Sequence, residues 1–240
     1  MSSIPQNFIF NFSIPCSRLK SFPKELVPEY LDASWSVAAR CHYDIQDQGF
    51  GKRDMRRKIT MKKTEEKKQK PVQFDFRIGW HPEGLVLTVL LSGKNQPFKW
   101  DLSNMEESDG LHFVLDTRDV RDVQRGTRFC HRFLFVPNAS EGSVPAPRPF
   151  WLPVHRAKAH PNPVDVSAFQ MAAELPDGGY IFSIAIPAGG LTGYDPEEHT
   201  RLGFHYSLRD QELGYFNLQQ DPLFPTEETP SLWSVLELKQ

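Results

Sequence analysis

The stretch 108-SDGLHFVLDTRDV-120 alternates apolar and polar residues and then stops at a turn of mixed charge. Side chains alternate across a strand, so parity assigns faces. Leu111, Phe113 and Leu115 share one face, and His112, Val114 and Asp116 share the other. A few residues on, 126-GTRFCHRFLFVPN-138 repeats the pattern. Phe129, Phe133 and Phe135 mark its core parity, which includes His131, while Arg128, Cys130, Arg132 and Leu134 point the opposite way. Two such runs predict two strands with one face each on an apolar core; if they are neighbours in one sheet, their outward donors share a face.

The pattern extends outward in both directions. In 73-QFDFRIGW-80, Phe74, Phe76, Ile78 and Trp80 share a face. The turn 81-HPEG-84 places Pro and Gly where a tight turn takes them. The near-continuous apolar run 85-LVLTVLLSG-93 follows, as in a sandwich interior. Tyr180, Phe182, Ile184 and Ile186 face the core in 180–186, as do Phe204, Tyr206 and Leu208 in 203-GFHYSLRD-210, leaving His205, Ser207 and Arg209 outward. Further strands are expected near 166–173 and 232–238, with a loop carrying Trp100 over 94–107 and a long Pro-rich loop over 137–165. Toward the N-terminus, 8-FIFNFSI-14 reads as a strand, and 24–44 as either a short helix or two strand fragments. No βαβ alternation, GxGxxG or GxxxxGK[ST] motif occurs. The expected fold is all-β: two antiparallel sheets packed face to face, with long Pro-rich loops.

Composition agrees. Twenty Pro and 18 Phe among 240 residues suit strands and loops rather than helices. A net charge of −2 gives no global reason to bind nucleic acid. The basic run 52–70 holds ten Lys/Arg against three Asp/Glu, a net +7 that leaves the rest of the chain at −9. No aromatic residue interleaves it, so it offers bases no stacking platform; it reads as a solvated insertion or a protein contact. Residues 1–71, including this insertion, are expected to belong to the same domain as the sandwich core over 72–240. Cys16, Cys41 and Cys130 form no disulfide framework or zinc pair. The N-terminus lacks the pattern of a secretory signal, and no apolar run is long enough to span a bilayer. A cytoplasmic protein without a membrane partner is expected.

The outward polar set has two readings. An outward sheet face is ordinarily polar because water wets it. The same donors on adjacent strands would also hydrogen-bond a polyhydroxylated or anionic ligand. A catalytic reading finds little chemistry. Cys130 and His131 point to opposite faces, which leaves Cys130 with His112 as a conceivable thiol–imidazole pair. No GxSxG or HExxH occurs, 155-HRAKAH-160 lies in the Pro-rich loop, and Glu106–Glu107, Glu197–Glu198 and Glu227–Glu228 are sequence neighbours rather than carboxylates facing across a cleft.

The ordered set RIGWHPEGLVLTVLLSGK, ESDGLHFVLDTRD, RFCHRFLF, GGYIFSIAIPAGGLTG, RLGFHYSLRDQELGY and TPSLWSVLEL resembles the family 9 carbohydrate-binding modules and their DOMON-like sandwich relatives over about residues 72–240. The resemblance implies a non-catalytic β-sandwich binding sugar on one sheet. In sugar-binding members two tryptophans clamp the ring; here those positions fall at Glu106 and Glu227, and Trp100 and Phe224 are the nearest aromatics. The family carboxylate that bonds sugar hydroxyls matches His112, and its polar partner matches Arg132. Members of the family also bind calcium; the corresponding donors are Asp116, Asp119 and Asp122, with Arg118 and Arg121 between them opposing a divalent cation. No other cofactor is expected. The ligand-contacting residues expected are therefore Trp100, His112, Arg118, Arg132, His205 and Arg209, and the ligand a saccharide, acidic rather than neutral, or a small anion. Alternatives are a protein-interaction sandwich acting through 52–70 and a Cys130–His112 enzyme.

Overall fold

Phe76 of one sheet lies against Tyr206 of the other, with ring centroids 3.9 Å apart and planes inclined by 20°. That contact marks the middle of a sandwich. The computed structural model describes residues 13–37, 41–43, 71–120, 122–139, 146–218 and 225–240. Among them are twelve strands: β1 (Ser13–Cys16), β2 (Cys41–Tyr43), β3 (Gln73–His81), β4 (Gly84–Ser92), β5 (Gly110–Asp116), β6 (Cys130–Val136), β7 (Arg148–Leu152), β8 (Gln170–Glu174), β9 (Gly179–Pro187), β10 (Arg201–Asp210), β11 (Gly214–Asn217) and β12 (Ser234–Leu238). The smaller sheet has the order β3-β4-β9-β8. The larger runs β1-β12-β10-β5-β6-β7, with β11 pairing β10 and β2 beyond it. All pairings are antiparallel except β1 with β12.

Parity carries into three dimensions. Register places Phe113 opposite both Tyr206 and Phe133. These three join Phe76, Ile78, Leu87, Val89, Phe182 and Ile184 in one buried cluster. Burial of this apolar surface is the main stabilising term.

Several expectations need correction. The Pro-rich loop over 137–165 contains β7, an edge strand that Pro149 can occupy because an edge does not need every N–H. The strand near 166–173 begins only at Gln170, after a 3-10 turn over Val166–Ala168. Phe129 precedes β6 and is half-buried rather than in its core register. Among the described residues of 24–44 the helical structure is the single 3-10 turn Ala33–Trp35, followed by strand β2. Residues 8–12, the basic run 52–70 and Phe224 lie outside the described residues.

The continuous apolarity of β4 has a specific cause. Its outer side is covered by the segment 19–35, where Leu19 and Leu31 pack with Val86 and Ala185 in a second buried cluster. Hydrogen bonds fasten this cover. The Leu31 amide donates to Thr88 Oγ1 at 3.1 Å, the Tyr30 amide to Ser183 Oγ at 3.1 Å, and Arg77 Nη1 to the Leu31 carbonyl at 2.6 Å. Arg77 also pairs with Glu29 and Asp75. At one end of the sandwich, buried Lys94 bridges Asp109 and Asp210. Both carboxylates also accept backbone amides, from Lys99 and Gln211 and from Glu212 and Leu213. Paired and hydrogen-bonded, the cluster ties the strand ends of both sheets.

Candidate functional site

The outward face of the large sheet is assembled by register. Across β10, β5 and β6 the first row is Gly203, Asp116 and Cys130; the next is His205, Val114 and Arg132; the third is Ser207, His112 and Leu134. Arg209 then lies opposite Gly110. Beyond Leu134, β7 contributes Phe150 to the third row; beyond Ser207, β11 contributes Asn217. Four of the residues expected to contact a ligand, His112, Arg132, His205 and Arg209, therefore stand on three adjacent strands.

Water does not wet this face. His112 is 1% exposed and His205 4%, because the segment 225–233 lies across them as a strap. Trp233 of the strap packs with Val114, Cys130 and Val154 in a third buried cluster. Its indole Nε1 donates to the Thr226 carbonyl, holding the strap in a closed turn. Glu227 is driven into the face. Its carboxylate accepts Arg132 Nη2 at 2.7 Å and Arg209 Nη2 at 2.6 Å, and lies 3.7 Å from His112 Nδ1.

Burial pushes the Glu227 carboxyl up, but the surrounding cations outweigh it and hold it down at about 2. Burial pushes His112 down to about 3 and His205 to about 4, so both are neutral at pH 7. The two guanidiniums therefore share one carboxylate, which offsets only one of their two charges. Neither ring nitrogen of His112 has a hydrogen-bond partner among the described residues.

Trp100 stands at the β7 side of the same face, half-buried. Its ring stacks on Phe150 at 5.3 Å, and Arg148 lies 5.1 Å from the Phe150 ring centre. The loop carrying Trp100 is laced to the start of β5. The Lys99 amide donates to Asp109 Oδ2 at 3.0 Å, the Asp101 amide to Ser108 Oγ at 2.9 Å, and the Asp109 amide to the Lys99 carbonyl at 2.9 Å. On the opposite flank Arg209 lies 5.9 Å from the Tyr215 ring centre.

The fold resembles that of family 9 carbohydrate-binding modules. One such module from Caldicellulosiruptor kristjanssonii, solved in complex with cellotriose, superposes with a TM-score of 0.58 at 14% identity, over 95% of this chain and 94% of that one. The same organism's module in complex with glucose gives 0.58 at 13% identity, over 95% and 96%. No family model and no curated protein matches the chain in sequence.

One expected contact, Arg118, fails on geometry, and the geometry also bears on the Cys130–His112 alternative and on the carboxylates matched to calcium donors. Arg118 lies beyond Asp116, at the end of β5 away from Arg209, where it pairs with Glu198 at 3.7 Å and covers Phe129. Cys130 is level with Asp116, whereas His112 is four residues along β5, about 14 Å away. No thiol–imidazole pair forms, and burial pushes the Cys130 thiol up to about 11. The carboxylate of Asp116, proposed as a calcium donor, instead accepts the Arg118 and Val120 amides, and Asp119 pairs with Arg201. Among the described residues no three His, Cys, Asp or Glu side chains gather as a metal site. Sequence reasoning missed Glu227 as a member of the site, as well as Phe150. The signal for Glu227 was its adjacency to TPSLW; the signal for Phe150 was obscured by the prolines around it.

Proposed function

We propose that this protein is a non-catalytic saccharide-binding sandwich that takes its ligand on the outward face of the large sheet, beside Trp100. The observation that carries this reading is the braced Trp100–Phe150 stack, half-buried at the β7 flank of that face, whereas His112 and Arg132 are buried beneath the strap. An indole held at a fixed angle offers a π surface to the apolar C–H face of a sugar. Arg209, partly exposed and oriented by Glu227, is a fixed donor for hydroxyls, while buried Arg132 holds Glu227 in place. The structural neighbours that hold glucose and cellotriose support the ligand class. Glu227 offsets one of the two guanidinium charges and both imidazoles are neutral, which weakens the preference for an acidic ligand at this face, and the structural neighbours hold neutral sugars. A neutral saccharide fits better here. The alternative of a scaffold role through 52–70 rests on residues outside those described.

Calorimetry of the whole chain with glucose and cellotriose tests this. Trp100→Ala is expected to weaken binding by about 1–2 kcal/mol, roughly 5–30-fold, with the fold unchanged. Absence of saccharide binding by the native chain, or binding indifferent to Trp100→Ala, sinks the reading.

A further inference from the structure

The strap has a second side. Where Glu227 enters the sheet face, Glu228 lines a pocket of about 450 Å³ on the strap's other flank, together with Arg125, Arg156, Thr229, Ser231 and Leu232. The wall opposite the strap is built by two loops that meet at Gly126. A Cβ there would stand 3.0 Å from Val154 Cγ1 and 3.2 Å from Ala157 Cβ, so only glycine admits this approach without displacement. The Lys158 amide donates to the Gly126 carbonyl at 2.8 Å and locks the two loops together. Arg125 on one loop and Arg156 on the other are thereby brought to one pocket. Arg156 itself sits at φ 54°, a left-handed conformation that a non-glycine residue rarely adopts.

The two walls of the pocket are anchored. Val154 and Ala157, which position Arg156, pack against Trp233 of the strap, and Glu227 anchors the strap to Arg132 and Arg209. Among the described residues neither Arg125 nor Arg156 makes a hydrogen bond, an ion pair or a ring contact. This distinguishes them from Arg77, Arg118, Arg132, Arg201 and Arg209, each of which is paired. Two unpaired guanidiniums at one cavity are forked donors suited to an oxyanion. The remaining lining is not that of a simple anion hole. Glu228 would repel a bare anion but accept sugar hydroxyls, Thr229 and Ser231 can donate or accept, and Leu232 adds apolar surface.

The geometry points to a second ligand site in this pocket, for a sugar unit bearing an anionic group: a carboxylate, sulfate or phosphate ester. The anion would lie between Arg125 and Arg156 and the ring hydroxyls against Glu228. The sugar class rests on the reading given above for the sheet face; the anion requirement rests on the pocket alone. Neither Trp100 nor Phe150 lines it, so the two sites are separable.

The test is calorimetry of the full chain with glucuronate, glucose 6-phosphate, glucose 6-sulfate, glucose and inorganic phosphate. At least one charged sugar is expected to bind about tenfold or more tightly than glucose at this site. Arg125→Ala and Arg156→Ala should each weaken that binding by about tenfold or more, Glu228→Gln should weaken it less, and Trp100→Ala should leave it unchanged. Both arginines are exposed, so their variants should melt as the native protein does. Inorganic phosphate binding as tightly as the phosphorylated sugar would show a plain anion site and overturn the proposal. So would charged sugars bound no better than glucose, or bound independently of both arginines. If glucose binding is lost in Trp100→Ala while the arginine variants change nothing, the face reading stands and the pocket falls. The reverse pattern keeps the pocket and removes the face.

Discussion

Glu227 and Glu228 are adjacent in sequence and serve opposite sides of one segment. Buried imidazoles on both faces of the large sheet make the fold's pH dependence specific. His112, His131 and His205 are held neutral by burial, at about 3, about 4 and about 4. In the unfolded chain each titrates near 6.5. Between these values the unfolded state binds more protons, so the stability these groups contribute is complete above about pH 6.5 and is lost as pH falls toward 4. The slope is about 1.4 kcal/mol per pH unit for each histidine. Urea midpoints measured from pH 7.5 to 4.5 should fall steeply, and His205→Asn should flatten the curve; a flat native profile would contradict the burial. Lys94 gives a second residue-scale prediction. Lys94→Met leaves Asp109 and Asp210 together without their cation and should cost about 3–5 kcal/mol by denaturant titration. Little of this was visible in sequence: Lys94, Asp109 and Asp210 are separated along the chain and meet only where three strand ends converge.

At the scale of elements, the strap 225–233 decides what the sheet face is. Glu227→Gln would leave Arg132 and Arg209 without their shared carboxylate and is expected to cost about 2–4 kcal/mol. The carboxyl's depressed titration makes that difference full above about pH 4.5, lost as pH falls toward 2. Limited proteolysis should cut the variant within 225–233 faster than the native protein; equal rates would mean that the arginines do not fasten the strap. The cover over the small sheet obeys the same logic. Strands β5, β6, β9 and β10 were legible because large apolar residues repeat every second position. Strand β7 was not, because Pro149 in a Pro-rich stretch carries the usual signal of a loop, although an edge strand tolerates it. The cost of that omission was Phe150, the brace of Trp100.

For the whole molecule, the pairing of the first and last described strands is the distinctive feature. Strand β1 lies parallel to β12, the Lys239 amide donates to the Cys16 carbonyl at 2.8 Å, and Trp80 Nε1 donates to the Lys239 carbonyl at 2.9 Å. A chain ending at Thr229 lacks β12, uncovers the edge of β10 and removes Trp233 from the outward face. It is expected to lose its near-ultraviolet circular dichroism and to aggregate through the exposed edge; a native spectrum from that truncation would show the pairing to be dispensable. The sequence alone determined the sandwich class and the inward and outward sides of its central strands, because period-two alternation is a local property that survives any arrangement of neighbours. Which outward residues meet, and whether water reaches them, was decided by tertiary structure alone. Those outcomes depend on register between strands about 90 residues apart and on a strap that folds back over them, and no local pattern encodes the partner of a distant side chain.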